Sequence, residues 1–114
     1  MLLSICQCAF ATPVAGIYTY HYDNLRDGQN PNETALTPAN VNSKTFGKLF
    51  ARAVDGNVYA EPLYVQSVPI PNLGSCEVVY VATEHDSVYA FDATGARAAP
   101  LWHVSFLSKR PAVT

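Results

Sequence analysis

Two short stretches of this chain group side chains that can do chemistry. Glu84-His85-Asp86 sets two carboxylates around an imidazole, and Tyr20-His21-Tyr22-Asp23 combines two phenols with a histidine and a carboxylate. The first is either a set of metal ligands or a charged turn, and the second either contacts a ligand or is a loop that satisfies its own turns. Metal sites usually gather ligands from several elements, and loops bind ligands only where a scaffold positions them, so the structural interpretation is favoured for both.

The three cysteines are Cys6, Cys8 and Cys76. Cys6-Gln7-Cys8 is one residue tighter than the C-x-x-C spacing of redox and zinc sites, and no second cysteine pair with histidine follows it. The sequence also lacks a recognisable Ser/His/Asp or Cys/His arrangement and a glycine-rich phosphate loop. We therefore predict no catalytic and no metal-ligating residue in this chain.

The N-terminal segment 1–16 favours export. Its apolar residues end in Ala9-Phe10-Ala11, the small-x-small form that signal peptidase accepts, although a basic n-region is missing. The alternative is an ordinary N-terminus with no targeting role. With the leader interpretation the protein is secreted or periplasmic, and Asn32-Glu33-Thr34 is an N-glycosylation acceptor if the pathway is eukaryotic.

Composition limits the remaining classes. The chain has 114 residues, of which 49% are hydrophobic and 14% charged, so it is globular material of at most one ordinary domain. The net charge is -2 with scattered Lys and Arg, which excludes a basic surface for nucleic acid. No apolar run approaches the roughly 20 residues that a transmembrane helix needs.

Turn residues and alternating apolar residues predict an all-β chain. Segment 17–47 reads as an irregular loop region rich in Asn, Asp and Pro, with a short helix capped by Thr37. Apolar runs beyond it predict strands, separated by a Pro-Gly loop at 67–75. The predicted strands are 48–54, 58–65, 77–83, 87–92 and 100–106. Pro62 should sit where no amide donor is required.

One phrase carries a family resemblance. The run from Val78 to Gly95, followed by Trp102, resembles the repeat of the pyrroloquinoline-quinone (PQQ) type β-propellers. The N-terminal region is similar to the lead-in segment of these proteins at Asp23, Asn24, Arg26, Gly28, Asn30, Leu36, Thr37, Pro38, Asn40 and Val41.

The resemblance implies a fold and partners. Segment 48–114 then consists of a leading strand, 48–54, that closes the ring, followed by one four-stranded antiparallel blade. Trp102 would dock between blades, with Ala90 and Gly95 as partner positions, although the Gly95–Trp102 spacing is longer than in the family repeat. A propeller has typically 4 to 8 blades, so the remaining blades of a longer chain are the expected partners. A chain expressed alone should self-associate through strands 58–65 and 77–83.

Two functions follow from the resemblance. One is a non-enzymatic propeller that binds proteins or carbohydrates on its face, and the other is part of a PQQ-dependent alcohol or sugar oxidoreductase. The family places a quinone-contacting glutamate three residues before a Pro-Leu pair, where this chain has Tyr59, while Glu61 directly precedes Pro62. The adjacent-cysteine pair of those enzymes is absent. We therefore expect no cofactor in this chain, with PQQ and Ca²⁺ belonging to a full-length protein and Glu61 as the one candidate contact.

Overall fold

The computed structural model describes residues 16–107, which form one five-stranded antiparallel sheet. The strands are β1 (Gly16–Ile17), β2 (Leu63–Ile70), β3 (Gly74–Ala82), β4 (Ser87–Asp92) and β5 (Trp102–Ser105), and they lie in the sheet in chain order. The predicted all-β class is confirmed. Most of the predicted leader, including Cys6 and Cys8, lies outside the described residues.

The β3–β4 hairpin is the element that the sequence predicted best. Val79 pairs with Phe91 and Val81 with Tyr89, so alternate apolar residues of the two strands share a face. The connecting turn is the predicted one, without a glycine. Asp86 takes the left-handed conformation with φ 53°, which Asp tolerates better than most residues.

Strand β2 lies five residues later than predicted. Pro62 has no amide hydrogen and immediately precedes the strand, so ladder pairing begins only at Leu63. The segment predicted as a Pro-Gly loop instead continues both strands into a tight hairpin. Asn72 at its tip has φ 64°, and the Leu73 amide donates to the Ile70 carbonyl at 3.0 Å. A one-residue register shift between Val65 and Val68 marks a bulge near the middle of the strand.

The leading strand is not the predicted one. Segment 48–54 belongs to no strand, and the edge of β2 pairs instead with β1, Gly16 opposite Val65 and Ile17 opposite Tyr64. Side-chain exposure along 51–56 nevertheless alternates, as expected for extended chain lying against a surface. We call residues 50–58 the strap, because they cross one face of the sheet.

The predicted short helix is also wrong. Residues 24–50 are exposed and turn-rich, and the described residues contain no helix of the length and apolarity that crossing a bilayer requires. The Val41 amide does donate to the Thr37 carbonyl at 2.9 Å, but the Asn40 side chain accepts from the Thr37 amide at 2.8 Å. Such local side-chain bonds compete with helix propagation.

Burial is concentrated at the middle of the sheet. Val78 and Ala90 are fully buried, and Phe91 and Tyr89 nearly so. Many large apolar side chains elsewhere in residues 16–107 stay exposed, including Leu49, Tyr59 and Phe106. Residues 78–80 of β3 are paired on both sides, so the self-association predicted through 77–83 has only the ends of that stretch as free edge.

Candidate functional site

The three predicted docking residues fall into two separate contacts. Ala90 and Trp102 pair directly across β4 and β5, and Tyr80 pairs with Ala90 from the other side. Because Ala90 has only a methyl group, the Tyr80 and Trp102 rings approach each other over it, with centroids 5.8 Å apart. Trp102 is 38% exposed, so it is available to a further partner.

Gly95 contacts the strap. It has φ +79°, and a β-carbon built on it would lie 2.5 Å from two ring carbons of Phe50. Only glycine combines this backbone conformation with so close a ring. An aromatic side chain is therefore docked at Gly95 from within the chain, which sequence reasoning missed. The sequence pattern that could have indicated this contact was the alternation of Phe50, Arg52 and Val54, in a segment predicted to be a strand.

Arg52 fastens this end of the strap. Its Nη2 donates to the carbonyl oxygens of Gly95 at 3.0 Å and Arg97 at 2.7 Å, while its guanidinium lies 4.5 Å from the Phe50 ring centroid. Its Nε is buried without a hydrogen-bond partner in the described residues. These contacts fix Phe50 and Arg52 against the loop that follows β4.

Asp55 fastens the other end. Its carboxylate accepts from Thr83 Oγ1 at 2.8 Å and from Ser87 Oγ at 2.5 Å. The Ser87 hydrogen bond chiefly holds the pKa of the Asp55 carboxyl below its usual range; desolvation opposes it, and the Thr83 hydrogen bond adds a smaller lowering effect. Ser87 is 1% exposed, so Asp55 also supplies the partner that a buried hydroxyl needs.

The Glu84-His85-Asp86 cluster forms the β3–β4 turn and binds the strap. Glu84 Oε1 accepts from Asn57 Nδ2 at 2.8 Å, and the Glu84 amide donates to the Asn57 carbonyl at 3.0 Å. His85 Nδ1 donates to the Asp55 carbonyl. Within residues 16–107 no group of three His, Cys, Asp or Glu side chains is placed to hold a metal ion. Because Glu84 and His85 bind the strap through the turn they form, the turn interpretation describes these side chains better than the metal one.

Glu61 lies in a cleft of about 330 Å³ that we call the tyrosine cleft. Its Oε2 accepts from the His21 amide at 3.0 Å, which brings the 20–23 cluster beside β2 across 40 residues of sequence. Tyr20 itself stacks on His21, with ring centroids 3.8 Å apart. The cleft is lined by Tyr20, Tyr59, Ala60, Glu61, Leu63, Tyr80, Val81, Ala82 and Val88. The 20–23 cluster and Glu61 thus share one site, which spacing alone did not predict.

These residues do not by themselves fit PQQ. The cofactor is a planar quinone with three carboxylates, and the lining of the tyrosine cleft includes a carboxylate but no Lys or Arg. Placing Glu61 beside an anionic ring system without a cation would be repulsive. Its oxygen is already engaged by the His21 amide, which suits a structural role.

No family model matches the chain, and no curated protein or solved structure matches it either.

Proposed function

We propose that this chain is the N-terminal part of an exported PQQ-repeat-like β-propeller that acts as a binding or scaffold protein. The observation that carries the proposal is the antiparallel meander β2–β5, whose strands follow one another from one edge of the sheet to the other. A propeller blade has this topology. The repeat phrase falls on it in order, with its tyrosines on β3 and β4 and its tryptophan at the start of β5.

Incomplete burial supports further blades. Trp102 pairs with Ala90 and Val104 with Val88, so the two exposed side chains lie on the same face of the sheet. They are 38% and 44% exposed. A single repeat unit cannot cover its own apolar faces, and a neighbouring repeat normally does so. A second blade stacked on this face would bury both side chains.

A scaffold role fits the polar groups better than catalysis does. Asp55, Glu84 and His85 are each engaged in hydrogen bonds that hold the strap. A catalytic acid or base must instead reach a substrate atom. We therefore favour a role in presenting a surface to a partner.

The intact mass of the native gene product tests the proposal. A mass several times 12.4 kDa, with further copies of the repeat, is the expected result. A monodisperse monomer near 12.4 kDa that unfolds sharply and reversibly would refute it, because such a product would need no neighbouring blade.

The second candidate is a fragment of a PQQ-dependent alcohol or sugar oxidoreductase. The observation in its favour is the position of Glu61 in an aromatic cleft. Under this hypothesis the cationic and Ca²⁺-binding residues come from other blades. Quinone absorbance retained on the purified native product would support it and overturn the scaffold role, whereas no uptake after adding PQQ and Ca²⁺ would count against it.

A further inference from the structure

Two Asp-Gly pairs occur in the chain, and the structure places them in different surroundings. Asp27-Gly28 lies in the exposed segment that precedes the strap, and Asp55-Gly56 lies inside the strap. In such a pair the backbone nitrogen of the glycine approaches the preceding carboxyl group easily, because glycine has no side chain to hinder it. Both pairs can therefore undergo the same intramolecular reaction unless the fold prevents it.

That reaction converts aspartate into isoaspartate and needs no cofactor. The glycine nitrogen attacks the side-chain carboxyl carbon, and the protonated carboxyl group loses its hydroxyl, together with the amide proton, as water. The succinimide ring that results then takes up a water molecule. Opening at the side-chain carbonyl restores aspartate, whereas opening at the backbone carbonyl leaves the chain running through the side chain. The product has an unchanged mass and an additional methylene group in its backbone.

The fold restrains Asp55 against this reaction. Its Oδ1 accepts a hydrogen bond from Thr83 Oγ1 at 2.8 Å, and its Oδ2 accepts one from Ser87 Oγ at 2.5 Å. To reach the Gly56 nitrogen the carboxyl group must leave both hydroxyls, and the buried Ser87 hydroxyl then loses its partner. An unpartnered buried group costs enough free energy to slow the reaction about 10-fold or more. The lowered pKa of Asp55 also makes the reactive protonated form scarcer.

Asp27 has no comparable restraint. The residue is exposed, and its Oδ1 accepts a hydrogen bond from the exposed Gln29 amide at 3.0 Å. The Gly28 amide donates to the His21 carbonyl at 3.3 Å, which is long for a bond of this class. A β-carbon built on Gly28 would meet nothing within 4 Å, so there is room for the succinimide ring. Ring closure here therefore leaves no buried polar group without a partner.

We propose that Asp27 is a site of spontaneous isoaspartate formation in this protein and that the fold protects Asp55 from the same modification. The two residues have the same dipeptide context, so the difference between them is conformational. It comes from the two hydroxyl groups that hold the Asp55 carboxylate and from the open surroundings of Asp27. This inference goes beyond the scaffold role and does not require it.

The modified residue lies in a loop that lines the tyrosine cleft. The His21 carbonyl accepts from the Gly28 amide, and the His21 amide donates to Glu61 Oε2 at 3.0 Å. Tyr20, which stacks on His21, is part of the cleft wall. An additional methylene group between residues 27 and 28 lengthens the loop that the His21 carbonyl closes. Isoaspartate formation therefore loosens the wall of the tyrosine cleft as the protein ages.

Peptide mapping of the native gene product tests the inference. The folded protein is incubated for several weeks at neutral pH and physiological temperature and then digested. Electron-transfer dissociation of the peptides distinguishes isoaspartate from aspartate at each position. We expect isoaspartate to form about 10-fold or more faster at Asp27 than at Asp55. A parallel sample in urea is the control, because the two pairs should react at nearly the same rate in the unfolded chain.

Variants identify the cause of the difference. Ser87→Ala and Thr83→Val each remove one hydroxyl from the Asp55 carboxylate, so each should speed up isoaspartate formation at Asp55 and leave the rate at Asp27 unchanged. Thr83 is only half-buried, so its variant serves the purpose if Ser87→Ala does not fold. Asp27→Glu is the matched control at the reactive position. It keeps the charge but cannot close a five-membered ring, and it should give no such product there.

Three results would overturn the inference. The first is the absence of isoaspartate at Asp27 in the incubated folded protein. The second is an equal rate at Asp27 and Asp55 in the folded protein, which would mean that the fold protects neither residue more than the other. The third is an unchanged rate at Asp55 in both hydroxyl variants, which would mean that the bonds to Thr83 and Ser87 do not restrain the carboxyl group.

Discussion

Replacing Gly95 by alanine should loosen the strap, and the chain offers a matched control for the change. Gly95 and Gly74 have nearly the same backbone conformation, with φ +79° and φ +80°. A β-carbon at Gly74 meets nothing within 4 Å, whereas one at Gly95 lies 2.5 Å from Cδ1 and Cε1 of Phe50. The two alanine variants therefore share the backbone strain and differ in the steric contact.

The backbone strain and the steric contact together set the expected loss of stability in each variant. An L-residue in the left-handed region costs about 1–2 kcal/mol, which is the whole expected effect of Gly74→Ala. At Gly95 the Phe50 ring must also move, and since it is 40% exposed it can swing outward. It then loses its packing and the cation–π contact with Arg52, worth roughly 0.5–1 kcal/mol at such a site. Gly95→Ala should thus destabilise the protein by about 1.5–3 kcal/mol in total.

Urea unfolding is the assay, followed by fluorescence of Trp102, the single tryptophan of the chain. The Phe50→Ala background isolates the steric term, because there the added methyl group has no ring to displace. Gly95→Ala should cost about 1–2 kcal/mol in that background, the same as Gly74→Ala. Nearby residues that share a contact are expected to show this non-additivity.

Two results would refute the reasoning. If Gly95→Ala and Gly74→Ala cost the same in the wild-type background, the Phe50 ring does not press on Gly95. If Phe50→Ala fails to reduce the cost of Gly95→Ala, the effect comes from the backbone alone. Either result would remove the evidence that the Phe50 ring packs on Gly95.

Three further predictions test other contacts. The pKa of Asp55 is lower in the folded than in the unfolded protein, so the ionised carboxylate stabilises the fold. This stabilisation is present above the unfolded pKa of about 4 and is lost as the pH falls through the folded pKa. The urea midpoint should therefore drop on acidification, and it should drop less in the Asp55→Asn variant. Ala90→Leu should cost about 1–3 kcal/mol by overpacking a fully buried site, measurable as a lower urea midpoint, whereas an unchanged midpoint would mean that the site is not closely packed. The pKa of Tyr64 is raised chiefly by its hydrogen bond to Glu77, so in a phenolate absorbance titration Glu77→Gln should lower that pKa; no change would exclude the contact.

Much of the sheet could be predicted from the sequence. The alternation of valines and tyrosines along 77–92 predicts a hairpin with a defined face, because side chains of a strand alternate between its two sides. The same alternation indicated extended chain around Phe50. It did not reveal whether that chain would pair, since an unpaired extended segment and a strand have the same side-chain period.

The sequence by itself determined the all-β class, the β3–β4 hairpin and the turn nature of Glu84-His85-Asp86, since these depend on residues close together along the chain. The tertiary structure decided which segment pairs with β2, because that hydrogen-bonding edge is available to only one partner and β1 occupies part of it. It also decided that the Asp55 carboxylate accepts a hydrogen bond from the Ser87 hydroxyl, 32 residues away. In the same way, the Glu61 carboxylate accepts a hydrogen bond from the His21 amide, 40 residues away. No local pattern encodes such contacts, because they form only when the folded backbone brings a polar group to a partner that would otherwise lack one.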